Sequence, residues 1–128
     1  MNKPFTIILD LPPSELSPNS RGHWAKRHRK TQAYRLAAHA EAIAGGYGGM
    51  RLTQAIAKYT FYWKKRIRRD IGNAEAMMKP AIDGLVDAGV LVDDNSLVLT
   101  HEPTVFGYSK NNPRVEIQIT PQEPTNGG

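Results

Sequence analysis

Residues 51–95 read RLTQAIAKYTFYWKKRIRRDIGNAEAMMKPAIDGLVDAGVLVDDN, and the period of the apolar residues changes midway. Ala57, Tyr59, Phe61 and Trp63 alternate with Lys58, Thr60 and Tyr62, the period-two pattern of a strand with one buried face. Over residues 73–89, Met77, Met78, Ala81, Ile82, Leu85 and Ala88 fall on one side of a helix, with Gly89 placed to end it. Pro80 suits a helix only in its first turn or at a kink, so this helix starts late or bends near Ala76. A strand that feeds a helix in this way belongs to a layered fold of sheet and helices.

The flanking sequence extends that alternation. Phe5, Ile7, Leu9 and Leu11 mark a first strand, which Pro12-Pro13 closes. After a loop at residues 14–22, a helix fits His23 to Ala44, with Ala33, Ala37, Ala40 and Ala44 on one face and Leu36 and Ile43 alongside. GGYGG (45–49) is a flexible turn and Asp93-Asp94-Asn95 a polar one. Strands follow near 96–106 and 113–120, the latter with Val115, Ile117 and Ile119 on one face. The order β-α-β-α-β-β predicts a single small α/β (α+β) domain over residues 1–120, a mixed sheet with helices packed on it. Residues 121–128, PQEPTNGG, are expected to form a flexible C-terminal tail.

A chain of 128 residues supports one core and buries enough surface to need no disulfide or metal staple. The absence of cysteine excludes disulfide frameworks, thiol nucleophiles and cysteine-bearing zinc sites. No apolar run is long enough to span a bilayer, and the N-terminus reads as a strand rather than a signal peptide, so a cytoplasmic protein with no membrane partner is expected. The four histidines lack zinc-ligand spacing, GGYGG lacks the residues of a phosphate-binding loop, and no G-x-S-x-G elbow occurs.

Charge carries more information. The net formal charge is +5, but residues 1–69 hold 14 basic and 3 acidic side chains while residues 70–128 hold 3 and 9. Two basic stretches are free of acids: Arg21, Lys26, Arg27, Arg29, Lys30 and Arg35 in the first, and Lys58, Lys64, Lys65, Arg66, Arg68 and Arg69 in the second. Such clusters bind phosphates with salt-sensitive affinity. Trp24 and Tyr62 lie beside them and could stack on bases, although a place in the core is the better expectation. The carboxylates gather after residue 69: Asp70, then Glu75, Asp83 and Asp87 at helical spacing with Lys79, then Asp93 and Asp94. Surface ion pairs and a turn dipeptide would account for them. Their position beside a phosphate-binding surface favours a divalent cation instead, because bare carboxylates repel DNA. Magnesium takes a few oxygen ligands and keeps waters, one of which can become the attacking hydroxide, and a lysine nearby can stabilise charge on the phosphate.

RRDIGNAEAMMKPAIDGLVDAGVLVDDN (68–95) resembles the signature of RusA-type crossover-junction endonucleases, a family common in phages and prophages. The opening is also similar, in LSPNSRGHWAK (16–26) and Tyr34-Arg35, so the resemblance covers residues 5–120. It implies a homodimer that binds four-way (Holliday) DNA junctions and cuts two strands symmetrically, with magnesium (Mg2+) or manganese held by aspartates. By position, Asp70 matches the first aspartate of the motif, Asn73 its asparagine, Lys79 its catalytic lysine, and Asp93-Asp94 its closing pair. Lys64, Lys65, Arg66, Arg68 and Arg69 would hold the DNA, extended by Arg21, Lys26, Arg27 and Lys30.

The chain departs from the motif at Gly72, where the family has its second acid. Glu75 stands four residues before Lys79, the offset of that acid in the shortest form of the motif, and is expected to supply the missing carboxylate. A junction-binding protein with weakened catalysis remains the alternative, as does a basic protein–protein adaptor. The apolar β-face carrying Tyr59 and Phe61 is open to either core or dimer interface.

Overall fold

The last strand in the sequence lies inside the sheet. The computed structural model describes residues 3–123. Its elements are β1 (Phe5–Leu9), α1 (Trp24–Ala44), β2 (Ala55–Trp63), α2 (Ile71–Ala76), α3 (Lys79–Asp87), β3 (Leu99–His101), β4 (Val105–Tyr108) and β5 (Arg114–Pro121), with a 3-10 turn at Ser14–Leu16. β5 runs antiparallel to β1 on one side and to β2 on the other, so Ile117 faces both Ile7 and Tyr59. β3 and β4 both run parallel to β2 along its far edge.

That far edge is one interrupted strand. His101 pairs with Ala57 and Val105 with Thr60, so the edge uses one residue more than β2 over the same span. The surplus residue makes a β-bulge at Glu102–Thr104, where Pro103 has no N–H to offer the ladder. The strand expected over 96–106 is therefore split, and its second half extends to Tyr108.

The alternation read from the sequence orients the sheet. Ile7, Leu9, Ala57, Tyr59, Phe61, Val115, Ile117 and Ile119 are all buried on the face that the helices cover. Tyr59 and Phe61 thus belong to the core. Phe61 stacks on Trp63 at 5.3 Å and meets Phe106 edge-on at 5.6 Å, geometries that aromatic quadrupoles favour. The helix expected over 73–89 is broken at Met77–Met78, and α3 restarts with Pro80 in its first turn. Its end forms the expected glycine cap: Gly89 has φ +76, and the Val90 N–H donates to the Leu85 carbonyl at 3.0 Å.

Three expectations are corrected. On α1 the buried residues are Tyr34, Ala38 and Ala42, while Ala33, Leu36, Ala37, Ala40, Ile43 and Ala44 face outward. The cause is the close crossing of α3. A Cβ at Gly84 would stand 2.2 Å from the Arg35 carbonyl oxygen and 3.0 Å from the Ala38 Cβ, so a leucine or isoleucine has no room in that seam. Tyr34 fits because it lies beyond the crossing, where its hydroxyl donates to the Asp10 carbonyl at 2.7 Å. Trp24 is 74% exposed at the start of α1, and Tyr62 is half-buried on the open sheet face beneath the Arg114 guanidinium at 4.1 Å. Of the expected tail, Pro121 closes β5, and residues 124–128 lie outside the described residues. Among the described residues, no helix is long and apolar enough to cross a membrane.

Candidate functional site

The connection from β2 to β3 builds the site. Lys64–Arg69 leaves the strand as an irregular run, and Asp70 then caps α2, its Oδ1 accepting from the Asn73 N–H at 3.0 Å. The break before α3 turns Lys79 toward the loop that follows. There its ammonium donates to Asp83 Oδ1 at 2.9 Å and also to Asp94 Oδ2. The hydrogen bond to Asp94 raises the Lys79 pKa, with Asp83 second, and the same bond from Lys79 holds the Asp94 carboxyl below its usual range.

These groups open onto a cavity of about 720 Å³ lined by Tyr59, Gly72, Glu75, Lys79, Asp94 and His101. Glu75 is oriented by Thr104 of the bulge, whose hydroxyl donates to Glu75 Oε2. Tyr59 lies in the wall with its hydroxyl 3.1 Å from His101 Nε2. Burial, and then the charges of Glu75 and Asp94, push its phenol well up, so it stays protonated. Tyr59, His101 and Thr104 were not singled out for the site from sequence. The available signal was Pro103, which makes an uninterrupted strand untenable and turns its neighbours toward the cavity.

Asp70 lines a neighbouring cavity of about 490 Å³ with Ser14, Ser17, Lys64, Arg69 and Asn73. Gly72, in the wall of the main cavity, lies beside this carboxylate: a Cβ there would stand 3.3 Å from Asp70 Oδ1. Asp93 makes the turn: its Oδ1 accepts from the Asp94 N–H at 2.7 Å and its Oδ2 from Asn95 Nδ2 at 2.9 Å. Among the described residues, no three carboxylate or imidazole groups converge closely enough to hold a metal ion as they stand. The donors that share the main cavity, Glu75 and Asp94 with His101, are of the hard oxygen and imidazole type that divalent cations accept.

Ser17 links the first basic stretch to α2. Arg27 donates to the Ser17 carbonyl at 3.1 Å, and the Ser17 hydroxyl donates to Asn73 Oδ1 at 3.1 Å, which ties the start of α1 to the start of α2. Lys26 pairs with Glu15 at 3.2 Å, while Arg21 and Lys30 are exposed. Across the site, Arg69 packs its guanidinium 4.0 Å from the Trp63 ring and Arg66 lies 5.4 Å from the Tyr108 ring. Lys64, Lys65 and Arg68 are exposed. Farther along α3, Arg35 holds Asp87 with two bonds of 2.6 and 2.8 Å, so the lower part of the carboxylate stripe is structural.

Fold and site together define a small mixed α/β protein with one cleft lined by Glu75, Lys79, Asp94 and His101 and a second lined by Lys64, Arg69 and Asp70. No protein-family model matches the chain. An uncharacterized protein of Xylella fastidiosa (strain Temecula1) is 31% identical over 128 residues, an alignment covering 96% of this chain and 82% of that protein. The chain belongs to the same family as that protein.

Proposed function

We propose that the protein is a metal-dependent endonuclease of the RusA type that resolves branched DNA, Holliday junctions above all, as a homodimer in the cytoplasm. The observation that supports this most directly is the shared cavity, where Glu75, Lys79 and Asp94 meet, with Lys64 and Arg69 lining the neighbouring cavity beside Asp70. Glu75 and Asp94 would hold magnesium or manganese, with Asp93 at the rim and Asp70 reaching in past Gly72. The ion supplies Lewis acidity at the scissile phosphate when bound. Lys79 stabilises the charge that grows on the phosphate oxygens. The run Lys64–Arg69 holds the backbone of the strand to be cut, and Arg21, Lys26 and Arg27 extend that surface. Two matched cuts need two such sites.

A second reading rests on Gly72 and on the capping role of Asp70: a junction-binding protein with weakened catalysis. The deciding experiment compares a synthetic four-way junction with a linear duplex of the same arm sequence, each with magnesium and with a chelator. Paired nicks on the junction that vanish on chelation support the nuclease. Tight junction binding without nicks in magnesium or manganese supports the second reading, and equal affinity for both DNAs with no nicks overturns both.

A further inference from the structure

α1 is apolar on two opposite sides, and only one of them is covered. Tyr34, Ala38 and Ala42 face the core, whereas Ala33, Leu36, Ala37, Ala40 and Ile43 face outward, with Leu36 67% and Ile43 53% exposed. Ala33, Leu36, Ala40 and Ile43 recur at spacings of three, four and three, the seam of a two-helix contact, with Ala37 flanking them. Three of the five are alanine, which lets two backbones approach closely. A groove of about 280 Å³ runs beside this stripe, walled by Leu9 at the end of β1, by Leu11 and Pro13 of the loop that follows, and by Ala33 and Ala37.

Charge selects the occupant and its direction. The first turns of α1 carry Lys26, Arg27, Arg29 and Lys30, and its one acid is Glu41. A parallel partner would set two basic ends together. An antiparallel second copy sends them to opposite ends of the contact. With a two-fold axis between Leu36 and Ala37, Leu36 faces the second copy's Ala37 and Ala33 faces its Ala40. Glu41 then comes close to the second copy's Lys30, since both flank the stripe on the side of Ala37. Lys30 and Glu41 are exposed, and neither is in an ion pair among the described residues.

We infer that the outer stripe of α1 is the surface through which two copies of this chain pair, antiparallel, with reciprocal Lys30–Glu41 bridges. The inference rests on the reading of a homodimer with two sites, and it names the surface that joins them.

Light scattering on the full chain is expected to give twice 14.2 kDa. Leu36→Glu should give the monomer mass with an unchanged circular dichroism spectrum. Lys30→Glu and Glu41→Lys should each weaken dimerisation by roughly three- to tenfold, and the double exchange should restore it. The chain has no cysteine, so Ala37→Cys should cross-link on oxidation while Gln118→Cys, on the open sheet face, should not. A monomeric wild type, a dimer that survives Leu36→Glu, or a double exchange that recovers nothing would overturn the inference. Junction cleavage is scored on the same samples: a wild-type dimer that fails to cut overturns the nuclease reading and leaves this pairing surface standing.

Discussion

Lys79 joins two parts of the chain by donating at once to Asp83, one turn along its own helix, and to Asp94 in the loop beyond. The lowered Asp94 pKa contributes stability that is present above its ordinary value of 3.8 and lost as pH falls through the depressed one. The raised Lys79 pKa contributes stability that is present below 10.5 and lost as pH rises through the raised one. Both charges therefore persist across neutral pH. Lys79→Met should lower junction cleavage by about 10²–10³-fold while changing stability at pH 7 by no more than about 1 kcal/mol, as befits a solvent-screened pair. NMR titration should show the Asp94 pKa returning upward. Unchanged cleavage would remove Lys79 from the chemistry.

Glu75→Gln should abolish cleavage and leave junction affinity intact, because the basic stretches do not line its cavity. Thr104→Val, which removes the donor to Glu75, should cost about tenfold in rate. Single-turnover cleavage with parallel gel-shift binding measures both. Full activity of Glu75→Gln would mean that this carboxylate is only a surface acid.

Gly72→Asp would set a second carboxylate beside Asp70, whose Oδ1 lies 3.3 Å from the site of the new Cβ. Without magnesium the repulsion should cost about 1 kcal/mol, or roughly 3–6 °C in Tm for a domain of this size. Magnesium should recover that loss and raise activity above wild type. Thermal scans with magnesium and with chelator test this, and a Tm indifferent to magnesium would count against a metal at this wall.

Gly84→Ala should be the most damaging single methyl in the protein, since its Cβ meets backbone at 2.2 Å. Separating α1 from α3 should cost about 1–3 kcal/mol or more. Chemical denaturation measures it, and a loss below about 0.5 kcal/mol would show that the crossing relaxes freely.

Alkaline pH should unfold the protein through its tyrosines. Burial is the first cause that pushes up the phenols of Tyr34 and Tyr59 from the ordinary value of 10.0. Above that pH the unfolded chain gives up protons that the folded chain retains, so stability falls as pH rises. Tyr34→Phe and Tyr59→Phe should each flatten the decline in Tm between pH 9 and 11, which calorimetry would detect.

The strands of this sheet were legible because each has one buried face, and Val115, Ile117 and Ile119 declare theirs by simple alternation. The cap at Gly89 and the bend before Pro80 were equally open to reading, being local. The inward face of α1 was not. Two apolar stripes compete there, and the choice between them was made by Gly84, far away in sequence. In the site, the spacing of Glu75, Lys79 and Asp94 was readable, but the insertion of His101 and Thr104 depended on a one-residue mismatch between two strands, which no single segment reveals.

The position of β5 has a further consequence. Until residues 114–121 are available β1 has no neighbour and β2 has only β3 and β4 along its far edge, and β1 pairs with β5 across the length of the domain, Phe5 with Ile119. On the ribosome, the cation-rich first half of the chain therefore emerges without a sheet to fold onto. Folding waits for β5 and is slowed by the long loops it must close. A chain cut short before residue 114 would lack the strand that joins β1 to β2, and would be not a weaker protein but an unfolded one.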